Sequence, residues 1–291
     1  MTRVGIGLLW LLSRLPPAVR RRTCEGLARL FMVFARERRE VARANLRLCF
    51  PALSERDRAT LLRHHFRALG RGLALACTAW FGSADDLRAA VQVEGLDELL
   101  ACRDRARILL APHFVGLEAA ALRLSLEHAA AAMYSTQKDP VFDRFLLGRR
   151  TRFRAIDMVS RAAGVRPALR ALRGGLPLFL QPDLDFGPRE SSFVPFFGVA
   201  AATTTGLSRL ARLTGAAVLP VSAELTADGE RCVVRIHPAL EGFPGESPEA
   251  DTRRMNAIVE TFVRRTPEQY WWLHKRFKTR PAGEQPVYDG T

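Results

Sequence analysis

A histidine five residues ahead of a carboxylate, as in Ala111-Pro112-His113-Phe114-Val115-Gly116-Leu117-Glu118, is a pairing that can make a hydroxyl nucleophilic. The neutral imidazole takes the proton, and an acidic neighbour fixes its tautomer and stabilises the imidazolium that forms. With 6 histidines and 30 acidic residues in 291, this spacing arises by chance about 0.6 times, so its surroundings must carry the case. Residues 106–111 are a short apolar run of the kind a central parallel strand shows, and 116–128 are rich in Ala and Leu at helical period. His113 is therefore placed where a strand's carboxyl end meets a helix, the edge at which open α/β sheets gather ligands. Glu118 falls about one turn into that helix.

Other candidates share this placement. Asp183 and Asp185, in Gln181-Pro182-Asp183-Leu184-Asp185, follow the apolar run 177–180. They can orient an arginine or an acceptor's hydroxyls, or simply cap the next turn. Two carboxylates are a thin ligand set for a divalent cation, so no metal site is expected. Thr203, Thr204 and Thr205 precede Gly206 and a helical run. They can offer hydroxyls and backbone N–H groups to a phosphate, or act as ordinary N-caps. Near the end, Tyr270-Trp271-Trp272-Leu273-His274-Lys275-Arg276-Phe277 mixes aromatic and basic side chains. It suits a phosphorylated ligand, nucleic acid or a membrane interface, and equally a core-packing helix with its cations in water.

These groups need a scaffold, and the length and composition supply one. The chain is 48% hydrophobic, enough for one large α/β core with an N-terminal helical extension. Residues 37–87 read as helical, with a break at Pro51 and an N-cap at Ser54. From about residue 91, apolar runs at 108–111, 130–134, 177–180, 216–221 and 232–236 alternate with helices, which predicts a mostly parallel sheet. The last two are joined through Ala227-Asp228-Gly229 and predict an antiparallel hairpin, and 251–265 reads as an amphipathic helix.

The net charge of +14 comes mostly from arginine and calls for an acidic partner. There are no paired zinc ligands, RNP-type strands or basic region with heptads, so nucleic acid is not the expected one. Five scattered cysteines without a C-x-x-C pair fit a reducing compartment. Residues 1–36 are expected to form membrane-associating helices ahead of a catalytic domain over 37–291. The apolar stretches 4–12 and 27–35 are too short to span a bilayer, but Trp10 and Arg20-Arg21-Arg22 suit a shallow anchor on an anionic surface. A helix pair packed on the domain is the plainer alternative.

Four blocks together resemble the late acyltransferases of lipid A biosynthesis, lauroyl and myristoyl transferases within the lysophospholipid acyltransferase superfamily. They are Pro112 to Glu118; Tyr134 to Asp143 with Thr151-Arg152-Phe153-Arg154; Gln181 to Gly187 with Phe193-Val194-Pro195-Phe196-Phe197-Gly198 and Ala202 to Gly206; and Pro267 to Tyr270 through Arg280-Pro281. Asn45-Leu46 and Phe50-Pro51 extend the likeness to the front of the chain. Tyr134-Ser135-Thr136-Gln137-Lys138-Asp139-Pro140 departs from the Tyr-Arg-Pro-x-Asn-Pro form often met there, as does Leu184 between the aspartates.

The resemblance implies a glycerophosphate acyltransferase-like α/β fold and acyl transfer from acyl carrier protein, as co-substrate and with no other cofactor, to a hydroxyl of a Kdo-lipid A precursor. The place implied is the cytoplasmic face of the inner membrane. His113 and Glu118 would form the catalytic dyad, with Arg152 or Arg154 facing the charge on the carbonyl oxygen. Asp183, Asp185, Thr203, Thr204, Thr205, His274, Lys275 and Arg276 would bind substrate, and Phe193 to Phe197 would line an acyl channel. No serine sits in a G-x-S-x-G elbow and no cysteine pairs with His113 in sequence, so direct transfer is expected over a covalent intermediate. The same dyad would serve an acceptor such as a glycerophospholipid or amino-acid lipid. A non-enzymatic basic protein of the membrane surface would make it incidental.

Overall fold

The computed structural model describes residues 2–154, 156–189 and 191–288. Four helices precede any strand: α1 (Thr2–Ser13), α2 (Pro17–Phe34), α3 (Arg36–Cys49) and α4 (Glu55–Phe81). Pro51 lies in the turn after α3, and Ser54 opens α4 by accepting the Asp57 N–H at 3.1 Å, both as the sequence predicts. α4 is the spine of the helical layer because it carries small residues where neighbours must come close. A Cβ on Gly70 would stand 2.6 Å from the Cys24 carbonyl oxygen in α2, and one on Gly72 2.6 Å from that of Val115. The α4 backbone therefore lies directly against the loop that bears His113.

After α5 (Ala84–Ala90) the chain alternates strands and helices: β1 (Val91–Glu94), α6 (Leu96–Ala101), β2 (Arg107–Leu110), α7 (Leu117–Glu127), β3 (Ala130–Tyr134), α8 (Pro140–Arg150), β4 (Ile156–Ser160), α9 (Arg166–Arg173) and β5 (Leu178–Leu180). A hairpin, β6 (Ser191–Phe196) and β7 (Val199–Thr204), leads through α10 (Gly206–Thr214) to β8 (Ala217–Leu225), β9 (Cys232–Ile236) and α11 (Pro248–Arg265). Seven strands form one sheet in the order β1-β9-β8-β2-β5-β3-β4. All neighbours are parallel except β8 and β9, the hairpin expected from Ala227-Asp228-Gly229. β2 and β5, at the centre, are buried at every position, which is why β5 and the part of β2 after Arg107 read as continuous apolar runs.

The parallel strands β2, β5, β3 and β4 end on one edge, so the segments following each of them meet there. Residues 270–277 do not form a helix. After a 3-10 turn at Pro267–Gln269 they run as an irregular strap whose Tyr270, Trp272 and Phe277 are core residues, clustered with Phe114, Phe196 and Phe66.

α2 lies along α4, and α1 rests on α4 and α8. Neither turns its main apolar surface inward: Val4, Leu8 and Leu11 on α1 and Leu27, Leu30, Phe31 and Phe34 on α2 are exposed, Phe34 by 80%. Among the described residues no helix is long and apolar enough to cross a membrane.

Candidate active site

β2 delivers Pro112-His113 to the carboxyl edge, and β5, its hydrogen-bonded neighbour, delivers Asp183 beside it. His113 Nδ1 lies 2.8 Å from Asp183 Oδ1, and the His113 backbone N–H donates to Oδ2 at 2.9 Å. Both carboxylate oxygens thus hold the same residue. An ionised carboxylate only accepts, so Nδ1 carries the hydrogen and Nε2 keeps its lone pair. The Asp183 side chain is 1% exposed and that of His113 29%, so the pair is anchored from inside while the ring reaches solvent. Burial opposes the charge on Asp183, but the His113 ring and the two hydrogen bonds outweigh it and hold the carboxyl below its usual range. Among the described residues Nε2 has no hydrogen-bond partner.

The strap fixes the loop from the other side. The His113 carbonyl accepts the Trp271 N–H at 2.9 Å, the Val115 N–H donates to the Gln269 carbonyl at 2.9 Å, and Phe114 bridges Tyr270. Gln269 in turn pairs through its side chain with both backbone groups of Leu225 at the end of β8, and the Tyr270 hydroxyl donates to the Asp183 carbonyl at 3.3 Å. Asn45, fully buried on α3, donates to the carbonyls of Trp272 and His274 at 2.8 Å each. One short loop is therefore clamped by β5, α4 and the strap.

Glu118 is not the partner of His113, a correction to the sequence reading. Its carboxylate takes a forked bond from Arg150, with contacts of 3.0, 3.2 and 2.7 Å, and the Trp80 indole N–H at 3.0 Å. The reason is geometric. Glu118 lies in the first turn of α7, facing α8 and α4, whereas the central strand β5 brings Asp183 directly beside β2.

Arg152 and Arg154 are also not placed as expected. The Arg152 guanidinium caps α4 through the Ala79 carbonyl at 3.0 Å and lies over the Phe153 ring, while exposed Arg154 reaches the Leu126 carbonyl near the end of α7 at 3.5 Å. Helix carbonyls without helical partners have drawn both cations away from the edge.

Asp185 organises backbone. It accepts the Gly187 N–H at 2.8 Å and both donors of Thr279 at 2.7 and 3.0 Å, and its own N–H donates to His274 Nε2 at 3.1 Å. Thr203 lies in β7 and receives the buried guanidinium of Arg276, which also donates to the Ala202 carbonyl. Thr204 accepts the Gly206 N–H at 3.2 Å, and Lys275 pairs with Glu37 at 3.3 Å. Thr205 ends the hairpin and gives α10 no side-chain cap. Of the substrate-binding candidates, then, His274 and Asp185 are brought to the dyad's edge, while Arg276 and Thr203 lock the strap to the hairpin. Phe196 and Phe197 belong to the core and Phe193 is exposed, so no continuous acyl lining runs along that strand.

A family profile described as bacterial lipid A biosynthesis acyltransferase matches residues 1–279. The chain belongs to that family. It is similar to the lipid A biosynthesis lauroyltransferase of Escherichia coli, 34% identical over 99% of this chain and 94% of that one. The palmitoleoyltransferase of the same organism is 35% identical at the same coverage, and its myristoyltransferase is 29% identical over 98% of this chain and 89% of that one. Among solved structures, the 1-acyl-sn-glycerophosphate acyltransferase PlsC of Thermotoga maritima superposes at a TM-score of 0.40 and 19% identity, covering 88% of this chain and 99% of that one. That superposition is too loose to bear on function. The protein is thus an acyltransferase of lipid A biosynthesis, and two of the blocks that carried the sequence resemblance, Pro112 to Glu118 and Gln181 to Gly187, follow β2 and β5 to the carboxyl edge.

Three features in and around the candidate site escaped the sequence reading: Asp183 as the imidazole's partner, Arg150 as the partner of Glu118, and His65. His65 is wholly buried in α4 and its Nδ1 faces the Glu268 carbonyl at 2.9 Å, which pins the strap's start. Burial lowers its pKa from 6.5 to about 4, against a smaller opposing effect of that carbonyl. Burial does the same to His274, helped by His113 and Arg276. Unfolded, both rings titrate near 6.5. As pH falls from 6.5 toward 4 the unfolded chain takes up protons the folded one refuses, so stability present above pH 6.5 is lost across that window. His65 alone is expected to account for roughly 3 kcal/mol of that loss. Urea unfolding at pH 7, 5.5 and 4 measures it, with a shallower slope in His65→Gln; a midpoint that does not move from pH 7 to 4 contradicts it.

Proposed function

We propose that the protein transfers a fatty acyl chain from the thioester of acyl carrier protein to a hydroxyl of a Kdo-lipid A precursor at the cytoplasmic face of the inner membrane. His113 is the general base. Its Nε2 takes the hydroxyl proton as the oxygen bonds to the thioester carbonyl carbon. Collapse of the tetrahedral adduct breaks the C–S bond, and the imidazolium returns the proton to the departing thiolate. Asp183 holds the ring in the accepting tautomer and stabilises its charged form, a contribution of about 10²- to 10⁴-fold for a well-placed base. Direct transfer is favoured because, among the described residues, the edge presents a base with no cysteine or serine hydrogen-bonded to it.

The observation that carries the reading is the buried carboxylate of Asp183 bonded to both the ring and the backbone of His113. The charge of +14 suits an acidic carrier, a phosphorylated lipid and an anionic bilayer alike. The exposed apolar residues of α1 and α2, with exposed Arg22 between the two runs in sequence, give the domain a surface that can rest in the headgroup layer.

The test incubates purified protein with acyl carrier protein thioesters of several chain lengths and a tetra-acylated precursor. The expected product is the precursor heavier by one ester-linked acyl group. Free fatty acid alone, or transfer only to a glycerophospholipid, overturns the proposal.

A further inference from the structure

We infer that Arg161 forms a phosphate-binding subsite at the outer end of the catalytic edge, for a phosphate ester carried by one of the two substrates. Arg161 is the first residue after β4, so it leaves the sheet on the edge reached by His113 from β2 and Asp183 from β5. Its guanidinium carbon lies over the Phe186 ring, 3.3 Å from the centroid. Phe186 is three residues beyond Asp183, at most about 10 Å of chain. The ring is a fixed platform because its neighbour Asp185 is tied to Gly187 and to Thr279 of the strap.

What distinguishes Arg161 is the state of its charge. Arg149, Arg150 and Arg152, at and just after the end of α8, have guanidinium N–H groups on carbonyls or on Glu118. Among the described residues Arg161 has no carboxylate or carbonyl partner for its guanidinium; its one contact is the aromatic face. Burial lowers its pKa with no acidic group offsetting the effect. A half-buried cation held on a ring, with its forked N–H edge unspent, is built to receive a bidentate anion, and phosphate matches that fork.

The inference rests on the proposed transfer reaction, in which the acceptor carries sugar phosphates and the donor a phosphodiester in its prosthetic arm. Both offer the same chemistry, and the experiment separates them. Initial rates are measured for the wild type, Arg161→Gln and Arg161→Lys while acceptor and donor are varied in turn. Arg161→Gln is expected to raise one KM by about 10- to 100-fold, the worth of a charge-assisted bond, with kcat within about twofold. Arg161→Lys falls between, keeping the charge without the fork. A raised acceptor KM that becomes equal in wild type and variant once the acceptor is dephosphorylated places the acceptor's phosphate on Arg161; a raised donor KM places the donor's there. Both KM values within about twofold of wild type overturn the subsite. So does a loss that persists on the dephosphorylated acceptor with the donor KM unchanged. Titration calorimetry of wild type and Arg161→Gln with a phosphorylated glucosamine lipid, in the absence of donor, tests binding apart from turnover. Arg161-dependent binding without transfer counts against the proposed acceptor and not against the subsite.

Discussion

Asp183→Asn is expected to lower kcat by about 10⁴-fold with little change in KM, the scale set by turning a catalytic imidazole into the wrong tautomer. An asparagine of the same shape has one acceptor where Asp183 has two. If its oxygen keeps the His113 backbone N–H, its amide N–H₂ faces Nδ1, which must then give up its hydrogen to act as acceptor. The proton moves to Nε2, and the atom that should take a proton from the substrate is already a donor. Glu118→Gln is the control. It leaves His113 and Asp183 untouched, keeps an acceptor for Trp80 and weakens only the Arg150 pair, so its effect is expected mainly as lost stability of about 1–3 kcal/mol. Steady-state rates and urea midpoints of the two variants decide the matter. Equal losses of kcat, or a greater loss in Glu118→Gln, return the orienting role to Glu118.

His113→Ala is expected to cost about 10²- to 10⁴-fold in kcat while the protein stays folded. The ring is 29% exposed and its one hydrogen bond is to Asp183, so its packing contribution is small. The loss falls on the carboxylate, which keeps the backbone N–H of residue 113 but loses the ring's N–H in the interior, at a cost of about 1–3 kcal/mol. Circular dichroism should therefore show a native spectrum with a lowered midpoint, beside an assay that no longer yields acylated product. Activity within tenfold of wild type would show that another group takes the proton.

The sequence made the central sheet legible because its strands are buried on both faces. β5 and, after Arg107, β2 are uninterrupted apolar runs, and the hairpin of β8 and β9 announces itself through Asp228-Gly229. It hid β1 and β4, whose partly exposed edge positions admit Gln92, Glu94 and Asp157, so neither carries a strong period. It hid the hairpin of β6 and β7 for a different reason. The two-residue turn has positive φ at Phe197 as well as Gly198, and a phenylalanine gives no turn signal. What holds that φ is tertiary: the Phe197 N–H donates to Glu260 at 2.7 Å and Arg264 lies over its ring.

The site was legible in part. A strand end followed by a helix placed His113 correctly, and the same argument brought Asp183 to the same edge. The pairing between them was not legible, because a gap of 70 residues says nothing of register, while the five-residue spacing to Glu118 is visible at a glance. Arg152 and Arg154 illustrate the converse failure. Their types suit anion binding, but helix ends that need donors lay nearer. In the strap, the density of aromatic residues suggested a ligand surface, and most of it proved to be core.

The placement of residues 269–279 over the His113 loop sets an order of assembly. The segment that clamps His113, the proposed base, is made some 150 residues after it, so on the ribosome the sheet's central strands can pair while His113 is still without its clamp. The nascent chain is therefore expected to be inert toward reactive thioesters until almost all of it has been synthesised, and a truncation before residue 269 should leave a largely native sheet that turns over nothing.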